Sequence, residues 1–278
     1  MSKSNAIKTF RDLLSFLTII PLGQTEDFVE ASARNIFLFP IVGALIGVFA
    51  AGYFFASGWI VSLLLLLVNF VVQVPSAFLQ SLIPAAITVA FLLIITGFQH
   101  FDGLVDLGNA IGLKRVEDRR EIAHRWIVTY KGALLALFVE LSAVAGLFLL
   151  NGNLAIRGLI VAETCAKLAM VTIVWRGKAS HEGLGARFIR NAKRNLNVAG
   201  YAVSFLISFA LLGLAGLLVV FVAVLFGLFM EKVANGMFGG VSGDMIGATN
   251  EFARAVSLVL VAAISLLAST LFTGALLL

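Results

Sequence analysis

Three oxygen-bearing side chains follow one another at helical spacing in the stretch 99–109, directly after an apolar segment. If this stretch is helical, Asp102, Asp106 and Asn109 lie at i, i+4 and i+7 on one face. Two carboxylates about 6 Å apart repel each other and raise one another's pKa, a penalty that a divalent cation removes. Because Mg²⁺ is usually held by one or two carboxylates together with substrate phosphates, the spacing indicates a magnesium site. Two solvated aspartates at a helix end are the alternative.

A second acidic pair lies in the glycine-rich stretch 239–251. Asp244 and Glu251 are at i and i+7 on one helical face, and Ser242 is placed to cap the helix start. A stripe of glycines beside this pair lets two membrane helices pack closely, or lets backbone N–H groups approach a phosphate. Both interpretations remain open. The stripe consists of Gly240, Gly243 and Gly247.

The third group combines charges inside an apolar run with a basic loop that follows it. Glu163 and Lys167 are at i and i+4 within the run, where charges are costly, usually paired and typical of functional sites. A structural ion pair is the alternative. In the loop, Lys178 and Arg187 could grip a phosphate, since arginine forms bidentate contacts with phosphate oxygens. A plain basic cytoplasmic loop is the alternative there.

The remaining polar residues indicate little further chemistry. The acids and arginines of 117–121 alternate as they do on a solvated helix face. Three scattered histidines and one cysteine do not make a zinc site. The sequence has no phosphate-loop motif and no dinucleotide fingerprint. Ser242 lacks plausible His and Asp partners, which excludes a hydrolase triad.

Composition indicates that these groups are carried by membrane helices. Of the 278 residues, 60% are hydrophobic and 13% charged, against about 25% charged in soluble domains. The mean hydropathy is +1.04. These values exclude a disordered chain, a secreted disulfide scaffold and a water-soluble enzyme core, and they predict an all-α, polytopic integral membrane helical bundle. The net charge of +5 is typical of basic cytoplasmic loops, so we expect no nucleic acid partner.

Uncharged runs predict about 7–8 transmembrane segments, since one crossing takes about 20 residues. A predicted break at Ser57-Gly58 separates the first two. The run 195–230 is either one long helix or two spans broken near Gly213 and Gly216. Glu140 and Arg157, in neighbouring spans, could pair. The other candidate spans are 36–55, 59–74, 82–98, 133–150, 154–175 and 255–278.

Three clusters of Lys and Arg predict which parts of the chain face the cytoplasm. They lie in the N-terminal segment 1–33 and in the loops 99–131 and 176–195, which the positive-inside rule places in the cytoplasm. The N-terminus agrees only if an even number of crossings precedes Asp102, whereas three candidate spans lie there. We expect an interfacial helix ending at Pro21 and one membrane-embedded domain over 1–278. The predicted location is the cytoplasmic membrane, with the active site facing the cytoplasm.

Four blocks, in order and spacing, resemble cobalamin synthase, the adenosylcobinamide-GDP ribazoletransferase family. Residues 100–106 read HFDGLVD and resemble the family's HLDGLAD. Residues 239–251 resemble its GG-x-TGD-x-x-GA-x-x-E. These two acidic blocks together are specific, whereas the blocks at 16–21 and 39–47 and a fifth at 182–188 are weaker.

The resemblance implies a reaction that joins adenosylcobinamide-GDP to α-ribazole or its 5′-phosphate, with Mg²⁺, and releases GMP. The product is adenosylcobalamin or its 5′-phosphate, at the end of cobalamin biosynthesis. On this hypothesis Asp102, Asp106 and Asp244 hold Mg²⁺, Glu251 adds a ligand or orients metal-bound water, and an aspartate or His100 accepts a proton. The expected substrate-binding residues are Asn109, Glu163, Lys167, Lys178, Arg187, Ser242 and Gly243.

The chain departs from the family pattern at three places. Asn109 stands where a third aspartate is frequent, residues 123–126 replace a Lys-Asp pair, and Lys167 stands where Arg is frequent. An inactive family member is therefore one alternative. The others are a CDP-alcohol phosphotransferase, whose longer aspartate signature is missing from the sequence, and an ion-coupled transporter, for which no repeated halves are evident. The lower base, the phosphorylation state of the acceptor and homo-oligomerisation stay open.

Overall fold

A computed structural model describes residues 3–22, 27–123, 125, 127–192 and 194–275 of the chain, and these ranges are all-helical, with no β-strand. A single parallel bridge joins Ala179 to Val241. The helices are α1 (Lys3–Leu17), α2 (Phe28–Arg34), α3 (Phe39–Asn69), α4 (Ser76–Ile95), α5 (Gln99–Ala110), α6 (Val116–Ala123), α7 (Tyr130–Phe148), α8 (Gly152–Arg176), α9 (Leu184–Asn191), α10 (Asn197–Phe238) and α11 (Gly243–Ala275).

Six of the described helices are long and apolar enough to cross a membrane: α3, α4, α7, α8, α10 and α11. They confirm the predicted polytopic helical bundle. The predicted break at Ser57-Gly58 is wrong, because α3 runs through it and the predicted spans 36–55 and 59–74 belong to one helix. A single glycine costs a helix only about 1 kcal/mol, and apolar residues continue on both sides of it.

The longest helix, α10, is a hairpin of two antiparallel arms. Its backbone leaves the helical region at Gly213, where φ is +59° and ψ is −136°, a conformation that favours glycine. Tyr201 donates to or accepts from Thr172 at 2.7 Å, and a Cβ on Gly227 would lie 2.8 Å from the Cβ of the same threonine. A straight helix would separate residues 201 and 227 by about 39 Å. The run 195–230 is therefore two spans, and the bundle has seven apolar arms.

Because α10 is a hairpin and α3 is one span instead of two, the basic segments lie at one end of the bundle. Two spans precede Asp102, the even number that the N-terminal cluster requires. Contacts agree: the rings of Phe16 and Phe188, in two of these segments, lie 5.1 Å apart, and Arg120, in the third, donates to the carbonyl of Phe238 at the end of α10. We call this end, which carries α1, α2, α5, α6 and α9, the site face. The predicted N-terminal helix is present as α1, and it ends at Leu17 before Pro21.

The core is centred on α8, which packs against α3, α10 and α11. Small residues allow the closest of these contacts. A Cβ on Gly43 would lie 2.4 Å from the carbonyl oxygen of Glu163, and one on Gly47 would lie 2.6 Å from the Cα of Ile160. The glycines of the 39–47 block therefore let the α3 backbone pack directly on α8.

Candidate active site

The two acidic stretches pack directly against each other where α5 meets the start of α11. A Cβ on Gly103 would lie 2.3 Å from the carbonyl oxygen of Asp244 and 2.8 Å from its Cα. On the facing helix, a Cβ on Gly247 would lie 3.1 Å from the Cα of His100. Glycines on both helices thus bring the backbones together, and two segments that are distant in sequence form one site.

Asp102, Asp106 and Asp244 line a single cavity of about 400 Å³ at the site face, which we call the acidic cavity. Burial, together with the negative charges of Asp244 and Asp102, raises the pKa of Asp106 to about 7. Asp102 and Asp244 are therefore close enough to Asp106 to disfavour its ionisation. The rest of the wall consists of Val105, Ala123, Arg125, Ile127 and Val128.

Few cations are available to the acidic cavity from the described part of the chain. Among the described residues, Asp102 and Asp106 form no ion pair. Arg125, which lines the cavity, pairs with Glu121. Ser242 caps α11 as predicted, since its Oγ accepts the N–H of Met245 at 3.3 Å. The same hydroxyl donates to Asp244 Oδ2 at 3.3 Å.

The donors of the acidic cavity suit a hard divalent cation that is completed by its substrate. Among the described residues no three His, Cys, Asp or Glu side chains are close enough together to form a ready-made metal cage. Mg²⁺ does not need one, because it keeps several waters and is bound through one or two carboxylates plus substrate phosphates. Two or three aspartates facing one open cavity fit this requirement.

A second cavity, of about 250 Å³, adjoins the first and shares Asp244 with it. We call it the aromatic cavity because Phe16, Phe39 and Phe188 form part of its wall. His100 also lines it and is 6% exposed. Burial, with the charges of Lys167 and Arg254, holds the pKa of His100 well below its usual value, so its imidazole is neutral. The other residues of the wall are Gln99, Met170, His181, Leu184, Gly243, Ile246 and Gly247.

Deeper in the bundle, Glu163, Lys167, Glu251 and Arg254 form what we call the buried ion network. Lys167 Nζ donates to Glu163 Oε2 at 2.9 Å, which is the structural ion pair that was the alternative to a functional role. Arg254 binds both Glu163 and Glu251, and all four side chains are at most 1% exposed. Because none of them lines the acidic cavity, the predicted roles of Glu251 in metal binding and of Glu163 and Lys167 in substrate binding receive no support from their positions.

Three charged residues of the spans differ from the sequence-based expectation. Arg254 is not among the residues predicted from the sequence. Its position in an apolar run, three residues after Glu251, could have indicated an ion pair. The predicted pair of Glu140 and Arg157 is wrong: Arg157 is exposed, whereas Glu140 is buried with neither carboxylate oxygen hydrogen-bonded within the described residues. The reason is that α7 packs on α11 and α5 and scarcely touches α8.

Asn109 holds the wall of the acidic cavity in place. Its Nδ2 donates to the carbonyl of Ile127 at 2.9 Å, and its Oδ1 accepts the backbone N–H of Thr129 at 2.9 Å and the Thr129 hydroxyl at 2.7 Å. These contacts fix the segment after α6 against α5. A direct contact of Asn109 with substrate stays a prediction. Of the departures at 123–126, His124 and Trp126 lie outside the described residues.

The basic loop after α8 is held against the glycine-rich turn before α11. The N–H of Val241 donates to the carbonyl of Lys178 at 2.7 Å, and a Cβ on Gly240 would lie 2.6 Å from the N of Ser180. A Cβ on Gly243, in contrast, would meet only the Leu184 side chain, at 3.5 Å. Gly240 and Gly247 are thus explained by close packing, whereas Gly243 leaves its backbone accessible to a ligand.

The two side chains expected to bind phosphate, Lys178 and Arg187, are exposed at the site face. Arg187 lies 3.8 Å from Glu30 of α2. Neither residue lines the two cavities, so their contact with substrate stays a prediction.

Two arginines of 117–121 close the end of α10, so the expectation of a solvated face is wrong for them. Arg120 Nη2 donates to the carbonyl of Phe238 at 2.6 Å, and Arg119 Nη1 donates to that of Met237 at 3.2 Å. The last carbonyls of a helix have no partner within it and carry partial negative charge, which arginine side chains satisfy.

Comparison with known proteins identifies a family that covers most of the chain. A family model described as cobalamin-5-phosphate synthase matches residues 9–263. The chain belongs to this family. The match confirms the resemblance carried by the acidic blocks, and it leaves the CDP-alcohol phosphotransferase and transporter alternatives without support.

Relatives of the chain match about nine-tenths of its length at modest identity. It is 28% identical to an adenosylcobinamide-GDP ribazoletransferase of Methanosarcina barkeri, over 91% of each chain. It is 31% identical to a protein of the same name from Halorubrum lacusprofundi, over 91% of this chain and 95% of the relative. A third, from Clostridium novyi, is 30% identical over 88% and 92%. No solved structure gives a significant match.

Proposed function

We propose that this chain is a membrane-bound transferase that joins adenosylcobinamide-GDP to α-ribazole or its 5′-phosphate and releases GMP. The observation that carries the proposal is the meeting of Asp102, Asp106 and Asp244 in one cavity. Its support from relatives is their name, adenosylcobinamide-GDP ribazoletransferase, on proteins that match nearly the whole chain. The product would be adenosylcobalamin or its 5′-phosphate.

The reaction is an in-line displacement at the phosphorus next to cobinamide. A ribose hydroxyl oxygen of the acceptor forms a new bond to that phosphorus, and the bond to the bridging oxygen of the pyrophosphate breaks, so that GMP leaves. Such a transfer depends on positioning and on neutralising phosphate charge rather than on covalent catalysis. Bound Mg²⁺ supplies that neutralisation. Asp102, Asp106 and Asp244 would hold it.

The chain's own residues orient the reactants around the acidic cavity. Ser242 fixes the start of α11 and the Asp244 carboxylate, and Asn109 fixes the wall opposite. The neutral imidazole of His100, or one of the aspartates, accepts the proton of the attacking hydroxyl. Lys178 and Arg187, at the same face, would hold the guanosine phosphate.

We further propose that the site face is the cytoplasmic side of the cell membrane. All three basic segments reach this face, and Lys and Arg are enriched in cytoplasmic loops. The charged nucleotide end of the donor would then reach the site from the cytoplasm, while the apolar arms lie in the bilayer.

Mg²⁺-dependent GMP release by the purified protein in liposomes tests the proposal. Asp102→Asn and Asp244→Asn should abolish release while the protein inserts normally, because each removes a negative ligand from the acidic cavity. Asp118→Asn is the matched control, since Asp118 lies at the same face but is paired with Arg115 and lines neither cavity. Turnover like the wild type in both cavity variants would overturn the metal site.

A further inference from the structure

Arg125 is the one lysine or arginine, among the residues that the structure describes, that lines the acidic cavity. The three aspartates of the cavity lie on α5 and α11, whereas Arg125 lies on the segment between α6 and α7. The cation therefore comes from a different part of the wall, and a metal site on the aspartates does not account for it. A phosphate that enters this cavity meets carboxylates of its own sign of charge, and a cation in the wall offsets that repulsion.

Other basic side chains of the same part of the chain are held by the backbone. Arg119 and Arg120 donate to the last carbonyls of α10, and Lys131 Nζ donates to a main-chain carbonyl at 2.9 Å. These three side chains join one stretch of backbone to another. The guanidinium of Arg125 bonds no main-chain carbonyl within the described ranges, so its donors are available to a ligand of the cavity once its carboxylate partner is exchanged.

The carboxylate partner of Arg125 is Glu121, one helical turn earlier on α6, and the pair is exposed to solvent. The two side chains are 59% and 62% exposed. Ion pairs this exposed contribute little, because water screens the charges and both long side chains have to be ordered. A phosphate offers the guanidinium two oxygens at once, in a stronger contact of fixed orientation. Exchange of Glu121 for a phosphate is therefore favourable.

The backbone that carries Arg125 is fixed against α5, so that only the side chain has to turn. Its N–H donates to the carbonyl of Ile122 at 3.2 Å. Two residues later, the carbonyl of Ile127 accepts a hydrogen bond from Asn109 Nδ2 at 2.9 Å. Asn109 follows Asp106 by three residues on α5, and it ties the segment of Arg125 to the helix that carries two of the aspartates. A cation on a fixed backbone loses less conformational entropy when it binds.

We propose that Arg125 exchanges Glu121 for the pyrophosphate of the donor and binds it within the acidic cavity. This inference rests on the function proposed above. The pyrophosphate is present with either acceptor, whereas the 5′-phosphate belongs to only one of them, so a contact that the reaction always needs is one with the donor. Lys178 and Arg187 line neither cavity. Arg125 therefore supplies the positive charge of the protein at the reacting phosphate.

The first test compares two arginine variants by the kinetics of GMP release. Arg125→Met should lower kcat/KM for adenosylcobinamide-GDP about 10- to 100-fold, the value of a hydrogen bond to a charged group, and leave the KM for α-ribazole near that of the wild type. Arg115→Met is the matched control, because Arg115 is also exposed at the site face and paired with a carboxylate, at 2.7 Å, but does not line the cavity. It should behave like the wild type. Arg125→Lys keeps the charge without the planar fork and should lie between Arg125→Met and the wild type.

Glu121→Gln separates a substrate contact from a structural ion pair. This variant removes the competing partner of Arg125, so its kcat/KM for the donor should equal or exceed that of the wild type. A fall as large as that of Arg125→Met would show that the ion pair itself is needed, and would overturn the proposal. Unchanged kinetics in Arg125→Met would overturn it too, and so would a loss seen only with α-ribazole 5′-phosphate, which would place Arg125 on the acceptor.

Binding of inorganic pyrophosphate separates this inference from the proposed function. With Mg²⁺ present and no other substrate, calorimetry on the protein in detergent should show pyrophosphate bound equally by the wild type and Arg115→Met, and about tenfold more weakly by Arg125→Met. Equal binding by the wild type and Arg125→Met, or no binding by the wild type, would overturn the role of Arg125. Failure of the wild type to release GMP would instead defeat the proposed function, whatever the binding result.

Discussion

The acidic cavity and the buried ion network are both built from carboxylates that the sequence marks as site candidates, and they are opposites in charge balance. In the network, Glu163 and Glu251 are each bound by Arg254, and Lys167 adds a second cation to Glu163. In the cavity, Asp102 and Asp106 have no ion-pair partner within the described residues.

This difference indicates what each group of acids does. Charges in an apolar interior persist only when paired, since an isolated buried ion costs several kcal/mol or more. The network carboxylates therefore link α8 to α11 through ion pairs. The cavity carboxylates face the open end of the bundle, where repulsion among them is tolerated and a dication can bind. Function is expected at carboxylates such as Asp102 and Asp106, which have no ion-pair partner among the described residues.

The largest effect should come from unbalancing the network. Arg254→Met leaves Glu251 without a cation and Glu163 with Lys167 alone, and breaking a buried pair in this way costs about 3–5 kcal/mol. We expect that the variant does not yield monodisperse protein, or that its thermal midpoint in detergent falls by more than a substitution at an exposed residue would cause. Arg187→Met, at an exposed arginine, is the control and should retain stability. A stable Arg254→Met protein would show that the network is not structural.

A comparable effect, on activity instead of stability, should follow from removing a cavity carboxylate. Asp106→Asn should lower GMP release by about 10²-fold or more, since charge stabilisation at a reacting phosphate is worth several kcal/mol. Its thermal midpoint in EDTA should equal or exceed that of the wild type, because one repelling charge is gone. A destabilised variant would instead indicate that Asp106 stabilises the fold, as the network carboxylates do.

Much of the fold and part of the site follow from the sequence, for identifiable reasons. Uncharged runs locate the spans because water-free surroundings exclude charge, and the charged glycine-rich blocks that interrupt them indicate Asp102, Asp106 and Asp244. Partners across helices do not follow. Arg254 binding Glu163, or Glu140 facing α11 instead of Arg157, depends on which helices pack together, and spacing within one helix carries no such information.

The glycines where α5 meets the start of α11 should separate into two kinds of position, with an effect on stability that is intermediate in size. Gly103→Ala drives a methyl into the Asp244 backbone and should cost about 1–3 kcal/mol, as overpacking does. Gly243→Ala meets only ordinary contact with Leu184 and should change stability by less than about 0.5 kcal/mol. Equal thermal shifts for the two variants would contradict the packing described for α5 and α11.

The smallest effect is a pH dependence in the absence of metal. The pKa of Asp106 is raised from 3.8 to about 7 in the folded chain, so between these values the folded state keeps a proton that the unfolded state releases. Its contribution to stability is present below about pH 4 and is lost as the pH rises through about 7. The thermal midpoint of Asp106→Asn relative to wild type, both in EDTA, should therefore increase over this range. A constant difference would mean that Asp106 is not held near its neighbours.

Binding of Mn²⁺, a spectroscopic substitute for Mg²⁺, to the protein in detergent tests the central claim most directly. Electron paramagnetic resonance should show Mn²⁺ bound to the wild type and to Glu251→Gln, and displaced by Mg²⁺, with the bound fraction lost in the Asp102→Asn, Asp244→Asn double variant. Binding that survives in the double variant, or that is lost in a folded Glu251→Gln protein, would contradict the account.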